Sequence, residues 1–445
     1  MPGPKVVQVT GDTEVPARVS VVIIGGGIIG TSVALELADR GVSVALCEKG
    51  GIGHEQSSRN WGWVRAGDRD PRELPLMLRA LEHWDGMAER TGRDVGFTRS
   101  GIAFAIHSAG EAEHLARWRT QATQIGVSSQ MLSEHQFRAA FPDAPQTGFG
   151  GMVTPLDGRA EPQKAAPAIA EAARARGAAI LTECAVRGVE TAGGTVSAVV
   201  TERGTIACEA AVIAGGAWSK LLIRDQGLYF PQLHVMNSVL RTTPVQGGPE
   251  TALWTEDFAF RKRQDGGYTI ANGSANIVDL VPDSLRYGLH FHRLLRANWK
   301  SMHLRLSGQF LEEVPAGFGW SRDKPSPFEK TRVLDPQPSR RFTKGLMDQL
   351  SLQWPVFAKA EIAQSWAGYI DMTPDEIPVI APIIARPGLF LASGFSGHGF
   401  GIGPGAGELM ADLVMGRTPV VDPSAFRFER FSDGSPVQLM TDVLH

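Results

Sequence analysis

Cysteine is scarce: Cys47, Cys184 and Cys208 are the only three in 445 residues, far apart and without CxxC or CxH spacing. That scarcity excludes a disulfide framework and a cysteine-based zinc site, and no metal is expected. Residues 1–20 lack the apolar core of a secretion signal, which together with the cysteines predicts a protein of the reducing cytoplasm. An excess of one charge is missing as well. With 44 basic and 47 acidic residues the formal charge is −3, so no global field draws the chain to nucleic acid or anionic lipid. Long apolar runs are absent, since residues 19–24 break into glycine far short of the ~20 residues that cross a bilayer. No repeat and no low-complexity linker is found, so the roughly two to three domains suggested by the length are expected to interleave. What remains is an ordinary composition, 43% hydrophobic and 20% charged, able to bury a sizeable core and suited to small-molecule chemistry.

The most informative stretch lies near the N-terminus. Residues 19–24 (VSVVII) are an unbroken apolar, β-branched run, as in a strand buried on both faces of a parallel sheet. The turn GGGIIG follows at once. Val33, Ala34 and Leu37 then fall at helical spacing, Gly41 stands where a glycine ends a helix, and residues 42–48 (VSVALCE) read as a second buried strand. Strand, glycine turn, helix and strand, with Glu48 closing the unit, form a dinucleotide-binding fingerprint of about thirty residues. Gly25 permits the tight turn, Gly27 lets the backbone approach a pyrophosphate, and Gly30 lets the helix pack on the strand. Ile28 and Ile29 open that helix, whose unpaired N–H groups and positive end suit phosphate. Glu48 is placed to accept hydrogen bonds from an adenosine ribose and repels a 2′-phosphate, which disfavours NADP and leaves NAD and FAD open. Lys49 extends the cofactor-facing set.

Further on, residues 165–178 read as a helix and the stretch VSAVVTERGTIACEA as a hairpin. Residues 228–352 are mixed and strand-rich, with a hairpin signal around Asp265, Gly266 and Gly267. Four segments then carry a resemblance: KGGIGHEQSSRNWGWVR after Glu48, a Glu161–Pro162 pair before a helix with AAVIAGGAWS at 210–219, WAGYIDMTPDEIPVIAP at 366–382, and SGFSGHGFGIGPGAGELMADLVMG at 393–416. In this order they resemble the FAD-dependent D-amino acid oxidase superfamily, above all its glycine oxidase and sarcosine oxidase-like branches.

The resemblance implies an α/β fold, a Rossmann-like FAD-binding domain interleaved with an α+β substrate domain that has a mixed, largely antiparallel sheet. The expected boundaries are 1–95, 155–227 and 355–445 for the first and 96–154 with 228–354 for the second. It also implies that Ser57, Ser58, Arg59 and Asn60 lie beside the flavin and its phosphates, that Val186 touches adenine through its backbone, and that Ala214, Gly215 and Trp218 form a second dinucleotide-facing turn. It further implies that Gly394, Gly397, His398, Gly399, Phe400 and Gly401 belong to a loop under the flavin pyrimidine ring. Two departures stand out. Sarcosine oxidases tether flavin to a cysteine where Gly368 stands here, so non-covalent FAD is expected. They also place a lysine for the substrate carboxylate where this chain has Gly401.

The implied reaction is oxidation of the CH–NH bond of an amino acid or secondary amine to an imine by hydride transfer to flavin N5, with oxygen or another acceptor reoxidising the flavin. Arg65 is the expected carboxylate anchor, since a guanidinium fork binds a carboxylate through two bonds; an inter-domain ion pair is its alternative. Trp61, Trp63, Trp366 and Tyr369 are candidate aromatic walls, His398 a candidate for proton handling, and Tyr268 a candidate to face the flavin. The basic stretch at 290–306 reads as a solvated helix face, with a membrane-surface or partner helix as the alternative. Two rivals remain open: a flavin dehydrogenase of a hydroxy acid, and the flavin subunit of a heteromeric amine or opine oxidase. Homo- and hetero-oligomers are both compatible with the sequence.

Overall fold

The β-branched run at the start of the fingerprint forms the strand Val21–Ile24, buried over its whole length. Its side chains alternate between two cores, Val21 and Ile23 in one and Val22 and Ile24 in the other, as the two-residue period of a strand requires. In this computed structural model, which describes residues 3–142, 144–273, 276–313 and 319–444, the strand is central to a six-stranded sheet. Val44–Cys47 and Ala179–Leu181 follow on one side, and Ala210–Ile213 and Leu389–Ser393 on the other, all parallel. Val379–Pro382 closes that edge antiparallel to Leu389–Ser393. One face packs against the helices Ile28–Asp39, Leu74–Thr91, Pro162–Ala175 and Gly399–Val414. The other packs against an antiparallel three-stranded sheet of Val186–Ala192, Thr195–Thr201 and Gly204–Ala207, which includes the expected hairpin.

A second sheet of ten strands is mixed and largely antiparallel. The hairpin around Asp265 joins Ala259–Lys262 to Tyr268–Ala271 within it. Its longest member, Ile362–Met372, pairs with Leu233–Thr242 along nearly its full length. That strand lies in the stretch expected to belong wholly to the cofactor-binding half; backbone pairing puts it in the second sheet instead, and the chain then passes directly into Val379–Pro382 of the first. The fold is thus α/β, and the chain passes between the two sheets several times, the last time from Ile362–Met372 into Val379–Pro382.

The basic stretch at 290–306 is not one helix. The helix Pro282–Ala297 ends there, and after a short 3₁₀ turn the chain forms the strand Met302–Arg305, parallel to Asn276–Asp279. Arg293 pairs with Asp442 at 2.9 Å and Arg305 with Asp279 at 2.7 Å. Among the described residues no helix is long and apolar enough to cross a membrane.

The helices Ile28–Asp39 and Gly399–Val414 press together at Gly407, where a Cβ would come within 2.5 Å of Ser32 Cβ and 2.7 Å of its carbonyl carbon. Gly86, on the exposed side of Leu74–Thr91, has open space instead. Gly407→Ala should therefore destabilise the protein by about 1–3 kcal/mol through overpacking, while Gly86→Ala should stabilise it by up to about 1 kcal/mol through helix propensity. Thermal melts of the two variants check the opposite signs.

Candidate active site

The glycine turn opens onto a cleft of about 470 Å³. Gly25 has φ +116°, and a Cβ there would strike the carbonyl oxygen of Ala214; a Cβ on Gly30 would strike that of Gly25. Only glycine allows this approach of helix, turn and neighbouring strand. The helix then begins at Ile28, whose N–H donates to the Ser57 hydroxyl at 2.8 Å. The first-turn amides have no partners within the helix, so this hydroxyl and the remaining N–H groups form an anion cradle at the positive helix end. Gly25, Gly27, Ile28 and Ile29 all line the cleft, whereas Gly30 lies behind it as the packing contact.

Glu48 faces the same space. Its Oε2 accepts from Gly26 N–H and its Oε1 from Gly50 N–H, both at 2.7 Å, which fixes the carboxylate and leaves lone pairs for ribose hydroxyls. Burial pushes its pKa up, countered by Lys49 and these two amides. Lys49 lines the cleft, but its ammonium is engaged by Glu55 at 2.6 Å and by the carbonyls of Thr331 and Arg332. Glu55 also accepts from Trp218 Nε1, so Lys49, Glu55 and Trp218 form one wall. Val186, Ala214 and Gly215 complete this end.

Arg59 and Asn60 line the cleft, while Ser58 is buried behind it and donates to the Glu55 carbonyl. Arg59 is spent on structure: its Nη1 donates to Asp335 at 2.7 Å and to the Ala367 carbonyl at 2.8 Å, and a Cβ on Gly368 would sit 3.1 Å from the Arg59 stem. Gly368 lines the cleft. Of the three cysteines only Cys47, beside Glu48, is in the lining. Gly397, His398, Gly399, Phe400 and Gly401 also line it, at the start of Gly399–Val414. Gly394 does not; its N–H donates to the buried Asp371 at 2.8 Å and holds the loop in place.

Two proposed aromatic positions need correction. Tyr268 turns its ring into the core of the second sheet against Phe260 and Phe357, its hydroxyl donating to the Pro249 carbonyl at 2.9 Å, and it is outside the cleft. Trp366 is fully buried, with Nε1 donating to the Arg59 carbonyl at 2.9 Å. Tyr369 does line the cleft, its hydroxyl meeting Gln309. Trp61 and Trp63 do so together with Trp254, which sequence reasoning missed: Trp61 stacks on Trp254 at 5.5 Å and meets Trp63 edge-on at 5.4 Å. Asn237, also missed, lines the cleft with a buried Oδ1 that has no hydrogen-bond partner among the described residues.

Arg65 lies in the lining with its guanidinium 5.3 Å from the Phe104 ring centre, and it makes no ion pair among the described residues. Arg69, four residues on, also lines the cleft. Nearby, His398 Nδ1 lies 3.1 Å from Glu73 Oε2. Burial, then the charges of Arg69 and Arg65, hold the imidazole well below its ordinary pKa, so it is neutral. Burial raises Glu73 from the ordinary 4.5 to about 7, and its Oε1 has no partner among the described residues. Glu376, at φ +61° in the lining, is raised to about 7 by burial and by neighbouring carboxylates.

A sequence profile described as DAO, FAD dependent oxidoreductase, matches residues 20–413. The chain belongs to this family. It is 29% identical over 428 residues to a glycine oxidase of Geobacillus kaustophilus, covering 93% of this chain and 97% of that one. It is 26% identical over 427 residues to the formaldehyde-forming 4-methylaminobutanoate oxidase of Paenarthrobacter nicotinovorans, covering 95% of this chain but 47% of that relative's length. Among solved structures, the L-amino acid deaminase of Proteus myxofaciens in complex with anthranilate superposes with a TM-score of 0.93 at 30% identity, over 96% of this chain and 97% of that one. The family's FAD fits what the cleft offers, an amide cradle at a helix start, a fixed carboxylate opposite, and a second helix start facing the same space.

The raised pKa of Glu73 has a defined consequence for stability. Between about 4.5 and about 7 the folded chain keeps a proton that the unfolded chain has released, so this group's contribution falls as pH rises through that window. Glu73→Gln cannot titrate. Urea unfolding of the apoprotein should show the variant gaining on the wild type from pH 5 to 7, by at most ~1.4 kcal/mol per pH unit, with no further change above. Parallel curves would contradict the assignment.

Proposed function

We propose that this chain oxidises the CH–NH bond of a carboxylate-bearing amino acid or secondary amine to an imine, which water then hydrolyses, using non-covalently held FAD. The observation that carries the reading is Arg65: a guanidinium in no ion pair among the described residues, lining the same cleft as the glycine turn and three tryptophans. A forked cation fits a carboxylate through two charge-assisted hydrogen bonds. The apolar indole faces lower the local polarity, which favours the neutral amine over the ammonium and excludes water while the C–H bond is broken. Asn237 Oδ1 offers a buried acceptor for an amine N–H. Bound FAD supplies the hydride acceptor, and the amides at the start of Gly399–Val414 offer donors and a positive dipole end for the charge on the reduced ring.

In this reading the six-stranded sheet and its helices hold the dinucleotide while the ten-stranded sheet roofs the substrate. The cofactor contacts are those of Ser57, Glu48, Val186, Gly215 and the 397–401 loop, and His398 works as a neutral group fixed by Glu73. The names of the relatives, glycine oxidase and 4-methylaminobutanoate oxidase among them, support amine oxidation. A partner subunit is also consistent, since the chain is 25% identical over 423 residues to a sarcosine oxidase subunit beta of Arthrobacter. We place its work in the cytoplasm, a reading supported by three buried free thiols.

Anaerobic mixing of the flavin-loaded protein with a panel of amines and hydroxy acids tests the reaction. Amino acids or secondary amines should bleach the flavin and yield an oxo acid or aldehyde together with ammonia or an amine; bleaching by hydroxy acids alone would overturn it. Arg65→Ala should raise the half-saturating amino-acid concentration about ten- to a hundredfold, as expected for a lost charge-assisted pair. An unchanged value would remove Arg65 from the site.

A further inference from the structure

Arg69 stands between Asp68 and Asp70, and in the sequence it looks paired by its neighbours. It is not. Asp68, at φ +51°, acts on Arg69 only at a distance and meets His114 at 2.9 Å. Asp70 takes Arg72 through two bonds of 2.8 and 2.7 Å. The next carboxylates are spent as well: Asp157 accepts from the Ala66 and Gly67 amides at 2.6 and 3.0 Å, and Glu73 meets His398. The Arg69 backbone is pinned, its N–H donating to the Ala66 carbonyl and its own carbonyl accepting from Trp118 Nε1 at 2.7 Å. The side chain is 7% exposed, lines the cleft, and rests its Nε on the Arg65 carbonyl at 3.3 Å. Its Nη atoms have no hydrogen-bond partner among the described residues.

Two neighbouring guanidinium groups therefore line one cleft, neither in an ion pair among the described residues. Burying like charges without a counter-ion is costly, and here Arg69 is pushed down to about 9 by burial and then by Arg65. One carboxylate satisfies one fork. We propose that the substrate carries two carboxylates, one held by Arg65 and the second by Arg69, so that the preferred class is an amino- or imino-dicarboxylate. This rests on the amine-oxidation reading for the reaction, but the dianion site itself can be measured apart from turnover.

The test uses the flavin-loaded protein. Glutarate and butyrate, which lack an amine, report binding through the change they cause in the flavin absorbance spectrum. Glutamate against norvaline, and N-(carboxymethyl)glycine against N-methylglycine, report anaerobic flavin reduction. Glutarate should bind at least about tenfold more tightly than butyrate, and dicarboxylates should half-saturate reduction at correspondingly lower concentration than their matched partners. Arg69→Gln should cost the dicarboxylates about tenfold more than the monocarboxylates, narrowing both ratios toward one. Equal binding of glutarate and butyrate to the wild type overturns the proposal, as does an Arg69→Gln effect equal for both classes. A fall in flavin midpoint potential in Arg69→Gln, with the ratios unchanged, also overturns it, by placing the charge at the flavin. If no amine bleaches the flavin but glutarate still binds preferentially, the reaction assignment fails and the dianion site stands.

Discussion

The constraint on which the rest of the structure depends is how closely the helix Ile28–Asp39 approaches its neighbours. At its start a Cβ on Gly30 would collide with the Gly25 carbonyl, and midway the helix lies against Gly407 of Gly399–Val414. Any larger residue at these contacts pushes the helix off the sheet or off its partner. Because both contacts close, two helices present their N-terminal ends to one cleft. One end, with the Ser57 hydroxyl on its first amide, suits a pyrophosphate; the other, preceded by His398, suits a ring that gains negative charge. Two separate anion-favouring ends become one elongated site.

Against that background the other charges are ordered by what has already been satisfied. Lys49 and Arg59 are both engaged within the chain, so they shape walls and offer no free charge. Arg65 and Arg69 are the exception in the lining, and they stand with the tryptophan wall and the unpartnered Asn237 oxygen. Asp68, Asp157 and Glu73 all act on them, and burial holds two of these carboxyls high, at about 7 for Asp157 and Glu73, which keeps the compensation from those two partial near neutrality. The cleft thus combines cation at one place with low polarity at another, the pairing that a carboxylate-bearing neutral amine needs.

The dinucleotide end was legible in the sequence because its parts are contiguous. An unbroken apolar run, a glycine turn and an acid at a set distance are all local, and Gly25, Gly27 and Glu48 all line the cleft. The substrate end was less legible because it is assembled from remote segments. Asn237 and Trp254 come from separate strands of the second sheet, Leu233–Thr242 and Ala252–Trp254, and no local pattern marks them. Tyr268 misled for a related reason: in a strand buried on both faces, as Tyr268–Ala271 is, alternation does not say which face looks toward the cleft. Arg69 was hidden by its neighbours, since flanking aspartates suggest ion pairs that the backbone turn at Asp68 diverts to His114 and Arg72.

The central claim is that this cleft holds one FAD, unattached, between the two helix ends. It is tested most directly by acid precipitation of the purified flavin-loaded protein, followed by spectroscopic and chromatographic assay of supernatant and pellet. The account predicts about one FAD per chain, all released to the supernatant as the intact dinucleotide. Flavin retained in the pellet, release of FMN in place of FAD, or a chain that takes up no flavin from excess FAD would contradict it.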